Sequence, residues 1–126
     1  MTTIKIEVLL PRQMRYRTVG DWVFGDRGEL LIQVADTTDW KSNFCVAIHE
    51  LVEAMLCRRA GIAQLAVDMF DKAYTGTGEP GDEPDAPYHT QHQWATAIEQ
   101  VVALSLNLSW RKHESNVEFA YKRIKQ

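Results

Sequence analysis

In the run VAIHELVEAMLC, residues 46 to 57, His49 and Glu53 stand four positions apart, with Glu50 next to the histidine. If the run is helical, positions i and i+4 stack on one face, so an imidazole nitrogen and a carboxylate oxygen reach a common ion. Glu50 is rotated by about 100° from His49. In a His-Glu-x-x-His helix that offset puts the glutamate beside metal-bound water as general base. Here glutamate replaces the second histidine. Zinc accepts imidazole and carboxylate alike, and two histidines, a carboxylate and a water form a known catalytic set. The extra carboxylate adds negative charge, weakens Lewis acidity and makes manganese, iron or magnesium more competitive. The expected cofactor is therefore a divalent metal, zinc first, with manganese or iron as alternatives.

A third protein ligand has to come from elsewhere. PYHTQHQWATAIE offers His89 and His92, with Glu99 two turns on. His92 is the first choice, because Ala95 and Thr96 follow on its face and would let its helix approach the His49 helix closely. Asp71, in VDMFDKAY, is the runner-up ligand or a partner that orients an imidazole; His89 completes the candidates. Against all of this stands an ordinary amphipathic helix, since any glutamate-rich helix produces such a string. Cys45, His49, Glu53 and Cys57, all spaced by four, also form one stripe. A thiolate ligand or a Cys-His nucleophile would follow, although a mid-helix cysteine is usually a small buried hydrophobe and reactive ones favour helix N-termini.

The elements that position these residues read as α+β. TIKIEVLLP alternates Ile4, Ile6 and Val8 with Lys5 and Glu7, the period of a strand closed by Pro11. Two further β-rich runs, 17 to 24 and 29 to 35, flank Gly25-Asp26-Arg27-Gly28, which suits a hairpin. Thr37, Thr38 and Asp39 offer N-caps for a helix over 40 to 60, ended by Gly61. Phe44, Ile48, Leu51, Val52 and Met55 are its expected core stripe. A second helix over 63 to 74 leads into TGTGEPGDEPDAPY, a loop whose Glu79, Asp82, Glu83 and Asp85 lack the spacing of a calcium-binding EF-hand. It reads as a lid over the metal site or as a solvated linker. A third helix over 89 to 108 is expected to bury Trp94, Ile98, Val101, Val102, Ser105 and Leu108, and a short basic helix follows Trp110. The expected architecture is a small antiparallel β-hairpin or sheet followed by a three- to four-helix bundle. It forms one domain: 1–36 the β region, 39–110 the helical metal-site region, 111–126 a basic tail carrying Arg111, Lys112, Lys122, Arg123 and Lys125.

With 126 residues, 45% of them hydrophobic and 25% charged, the chain is an ordinary globular domain. A net charge of −3 argues against nucleic acid as a partner. Cys45 and Cys57 would lie roughly 18 Å apart along one helix and cannot bridge. Two free thiols, no signal peptide and no apolar run of membrane-spanning length suggest a cytoplasmic setting and no membrane partner. Trp22, Trp40, Trp94 and Trp110 are expected mainly in the core, with interface anchoring as the alternative.

HELVEAMLCRRAGI, VDMFDKAY and EPGDEPDAPYHTQHQWATAIE together resemble a family of short uncharacterised phage and prophage proteins with a zincin-like metal helix, over roughly residues 40 to 105. The resemblance implies His49, Glu50 and Glu53 as the metal-site core, Asp71 as a neighbour, His92 as the downstream histidine and the cytoplasm of a bacterial host as the setting. Replacement of histidine by Glu53 departs from true zincins. The expected activity is metal-dependent hydrolysis of a peptide or other amide, with Glu50 as general base. In that scheme strand 29 to 35 pairs with an extended substrate as a sheet edge. The alternative is a non-catalytic module that binds a host protein, its metal structural or absent.

Overall fold

Alternation in the first nine residues does make a strand, and the glycine-flanked turn does make a hairpin. The computed structural model describes residues 3–124 and contains strands β1 (Ile4–Leu9), β2 (Gly20–Phe24) and β3 (Leu30–Ala35), in the order β1-β3-β2. β2 and β3 form the antiparallel hairpin, while β1 lies parallel to β3, with Ile4 opposite Leu30 and Leu9 opposite Ala35. β3 is thus the central strand. The expectation that it offers a free edge to a substrate is corrected, because its backbone groups are taken on both sides.

Four helices follow: α1 (Trp40–Ala60), α2 (Gln64–Ala73), α3 (His89–Ser105) and α4 (Trp110–Tyr121). The Asp39 side chain caps α1 by accepting from Lys41 N at 2.8 Å, and Gly61, at φ 72°, ends it in the left-handed conformation that glycine adopts without strain. The expected basic tail is largely α4, which buries His113, Asn116 and Ala120; Lys125 lies outside the described residues. Leu30, Ile32, Val34 and Ala35 of β3 belong to one core with Val46, Ala47, Ala54 and Cys57 of α1. No helix among the described residues is long and apolar enough to cross a membrane.

The buried faces of α1 and α3 are not the expected ones. α1 buries Ser42, Cys45, Val46, Ala47, His49, Glu53, Ala54 and Cys57, while Phe44 is exposed and Ile48, Leu51, Val52 and Met55 are half-buried. α3 buries His92, Ala95, Glu99 and Ala103, and Trp94, Ile98, Val101 and Ser105 are exposed. Only Leu108 of the expected α3 set is fully buried, with Val102 half-buried. The two helices meet antiparallel, Cys45 near Ala103 at one end and Glu53 against His92 at the other. Small side chains permit the close approach, and the ionisable groups find partners within it. The tryptophans divide accordingly. Trp22 is buried and Trp110 half-buried, but Trp40 and Trp94 are 66% and 62% exposed, so the four do not share a core.

Candidate metal centre

The seam between α1 and α3 brings three of the expected residues together. Glu53 Oε2 lies 3.2 Å from His49 Nε2 and 2.8 Å from His92 Nδ1, and one ligand atom from each of the three residues lies within 4.8 Å of the others. Ligands about 2.0–2.1 Å from a tetrahedral ion stand roughly 3.3 Å apart, so these separations are near what one ion requires.

Each of the three side chains is also held from behind. Trp22 Nε1 donates to Glu53 Oε1 at 3.0 Å. His92 Nε2 lies 3.2 Å from Glu79 Oε2 and 3.1 Å from Asp82 Oδ1. His49 Nδ1 is 2.8 Å from Glu99 Oε1, but off the line of a good hydrogen bond, leaving it paired by charge without an aligned acceptor. Backing of this kind fixes imidazole orientation at metal sites.

Carboxyl groups outnumber imidazoles in the seam, with Glu50, Glu53, Asp71 and Glu99 around His49 and His92. Burial disfavours the Glu53 carboxylate, yet hydrogen bonds from His49 and His92 outweigh it and lower the carboxyl to about 2. Burial likewise opposes charge on His92, while Glu53 and Glu79 raise it to about 10. His49 is raised well above the usual imidazole range, its burial overcome by Glu53 and Glu99. In the metal-free protein, protons on the two imidazoles therefore do the neutralising that a cation can do.

Glu50 points to the same place from the next position on α1. Its Oε2 is 3.9 Å from His49 Nε2, and burial followed by repulsion from Glu53 pushes its carboxyl well above the ordinary value. Gly20, on β2, makes the room: a β-carbon there would sit 2.7 Å from the Glu50 carboxyl carbon.

The acidic loop lies over His92. A single helical turn, Pro80–Asp82, brings Glu79 and Asp82 to the ring, and Gly81 packs its backbone so closely that a β-carbon would be 2.4 Å from His92 Cγ. Glu79, Asp82 and His92 form a second group able to hold a cation. His89 stands outside both groups; its Nδ1 donates to Gly81 O at 3.0 Å and ties the loop down. Asp71 is also outside the triad, both its oxygens engaged by the hydroxyls of Tyr16, at 3.1 Å, and Tyr88. Burial outweighs those two hydrogen bonds and raises its carboxyl to about 6.

The cysteines do not join this chemistry. Both are buried, and burial, reinforced by nearby carboxylates, raises Cys45 to about 11 and Cys57 to about 12. Cys45 packs with Ala103 and Leu108 instead of activating beside His49. Trp22, Ser42, His113 and Asn116 were not singled out by spacing.

No protein-family model matches the chain, and no curated protein or solved structure matches it either.

Proposed function

We propose that the chain binds one divalent ion through His49 Nε2, Glu53 Oε2 and His92 Nδ1, and that it is a zincin-like metal-dependent hydrolase acting on a peptide or other amide. The observation that carries this reading is the convergence of three donor atoms whose side chains are each backed by a further group. Two imidazoles favour zinc; manganese and iron remain compatible with the carboxylate-rich surroundings. Bound metal supplies a water acidified towards neutrality. Glu50, whose Oε2 is 3.9 Å from His49 Nε2, would take a proton from that water and return it to a leaving nitrogen. The reading extends to membership of residues 40 to 105 in a phage and prophage family with such a metal helix, which would place the protein in a bacterial cytoplasm.

One observation favours a second reading, a non-catalytic module with a structural ion that binds a host protein. His49, Glu53 and His92 are 5%, 4% and 4% exposed, and closed sites are the mark of structural zinc. Hydrolysis would require the Glu79–Asp82 loop to lift.

Elemental analysis of protein purified without chelator, as wild type, His49→Ala and Glu53→Ala, tests the ion. Turnover of a peptide library by wild type and Glu50→Gln tests the chemistry. Metal lost in both alanine variants, with cleavage abolished in Glu50→Gln, supports the hydrolase. Metal without cleavage leaves the structural ion. Wild type that takes up no zinc, manganese or iron removes the hydrolase and the structural ion, and leaves a binding module without metal.

A further inference from the structure

A buried polar chain runs away from the candidate centre through three helices. Glu99, on α3, divides its carboxylate: Oε1 is 2.8 Å from His49 Nδ1 and Oε2 is 2.5 Å from His113 Nε2. His113, on α4, is 1% exposed, and its Nδ1 lies 2.9 Å from Ser42 Oγ on α1. Asn116 Nδ2 donates to the same Ser42 Oγ at 3.0 Å and lies 3.3 Å from Asp39 Oδ2, the cap of α1.

We infer that Glu99, itself held by His113, is the positioning residue that commits His49 to bind the ion through Nε2. The inference rests on the metal site proposed above. Counting donors gives the direction. Glu99 Oε2 is occupied by the His113 Nε2–H, and a carboxylate offers only acceptors, so Oε1 is the acceptor left beside the Nδ1 proton of His49. Nε2 is then the nitrogen that would give up its proton to an ion, and it is the one 3.2 Å from Glu53 Oε2. His49 Nδ1 is the one buried side-chain nitrogen among the described residues without an aligned hydrogen-bond partner, and Glu99 is the carboxylate beside it. His113 and Asn116 explain why α4 buries polar residues: they hold Glu99 and Ser42 where α1 and α3 alone leave them short of partners.

Zinc affinity measured by competition with a chromophoric chelator, on wild type, Glu99→Gln and His113→Ala, tests this. Loss of such an orienting partner weakens a metal site about 10- to 100-fold. That loss is expected for Glu99→Gln, and a smaller one for His113→Ala. Long-range ¹H–¹⁵N spectra of zinc-loaded wild type supply a readout that a merely structural carboxylate would not move: His49 must show a protonated Nδ1 and a metal-bound Nε2. That result stands even if a variant fails to fold. A zinc-bound Nδ1, or wild-type affinity in folded Glu99→Gln, overturns the inference while leaving the metal site intact. Wild type that binds no zinc overturns the metal site itself, and this inference with it.

Discussion

His92 Nδ1 and Glu53 Oε2 lie 2.8 Å apart, although 39 residues separate them in sequence. The contact closes the seam between α1 and α3 where both helices present ionisable side chains in place of large apolar ones. A buried ion pair of this kind is costly to break, because removing one partner leaves an uncompensated charge. The seam therefore needs something positive beside Glu53: protons on the imidazoles, or a metal ion.

Metal-free protein should accordingly show a stability maximum in pH. Glu53 falls from 4.5 to about 2 in the folded chain, so its contribution is complete above 4.5 and lost as pH drops towards 2. His92 rises from 6.5 to about 10, so its contribution is complete below 6.5 and lost as pH climbs towards 10. Urea midpoints in the presence of chelator should peak between these limits, and Glu53→Gln should flatten both limbs. Wild-type midpoints that are level from pH 3 to 10 would show that the pair contributes nothing.

Among the described residues, Trp22 is the tryptophan whose ring nitrogen has a side-chain partner. Trp22→Phe removes the donor to Glu53 Oε1 within the core, and a hydrogen bond to a buried charged group is worth about 1.5–3 kcal/mol. Trp40→Ala and Trp94→Ala, at exposed positions, should stay within about 0.5 kcal/mol. Equilibrium denaturation of the three variants checks the contrast; equal losses would mean that the indole nitrogen has no role beyond packing.

Much of the fold was legible because its signals are local. Asp39 and Gly61 bracket α1 as their cap chemistry demands, and Gly25 to Gly28 turn the hairpin. His49, Glu53 and His92 were legible as a site because fixed helical spacing and a nearby pair of small residues made a geometric argument. The buried faces were not. Hydrophobic periodicity assigns Trp94 and Val101 to the core, but α1 and α3 approach through Cys45, Ala95 and Ala103, where the large residues do not fit. Strand order was equally hidden, since nothing in residues 4 to 9 says that they pair with β3 in parallel. His113 reaches Ser42 across 71 positions, and no periodicity reports such a contact.

Gly81 holds the acidic loop against His92, so Gly81→Ala should lift it. The new methyl would meet the ring at 2.4 Å from Cγ, and overpacking of this sort costs about 1–3 kcal/mol. Faster hydrogen exchange or proteolysis within residues 75 to 88 is expected, together with weaker zinc binding as His92 loses Glu79 and Asp82. Unchanged protection and affinity would mean that the loop does not bear on the ring.

Gly20 offers a way to separate metal binding from proton transfer. Its missing side chain leaves the space that the Glu50 carboxylate occupies, with Cγ, Cδ and Oε2 all 2.7 Å from where a β-carbon would stand. Gly20→Ala must push Glu50 aside, yet Gly20 appears in none of the hydrogen bonds or ion pairs that hold His49, Glu53 and His92. Metal content should therefore match wild type. Displacing a general base removes a contribution of about 10²–10⁴-fold, so amide hydrolysis should fall towards the level of Glu50→Gln. Side-by-side metal analysis and turnover measure the two effects independently. Full activity in Gly20→Ala with Glu50 crystallographically displaced would show that another group takes the proton from water.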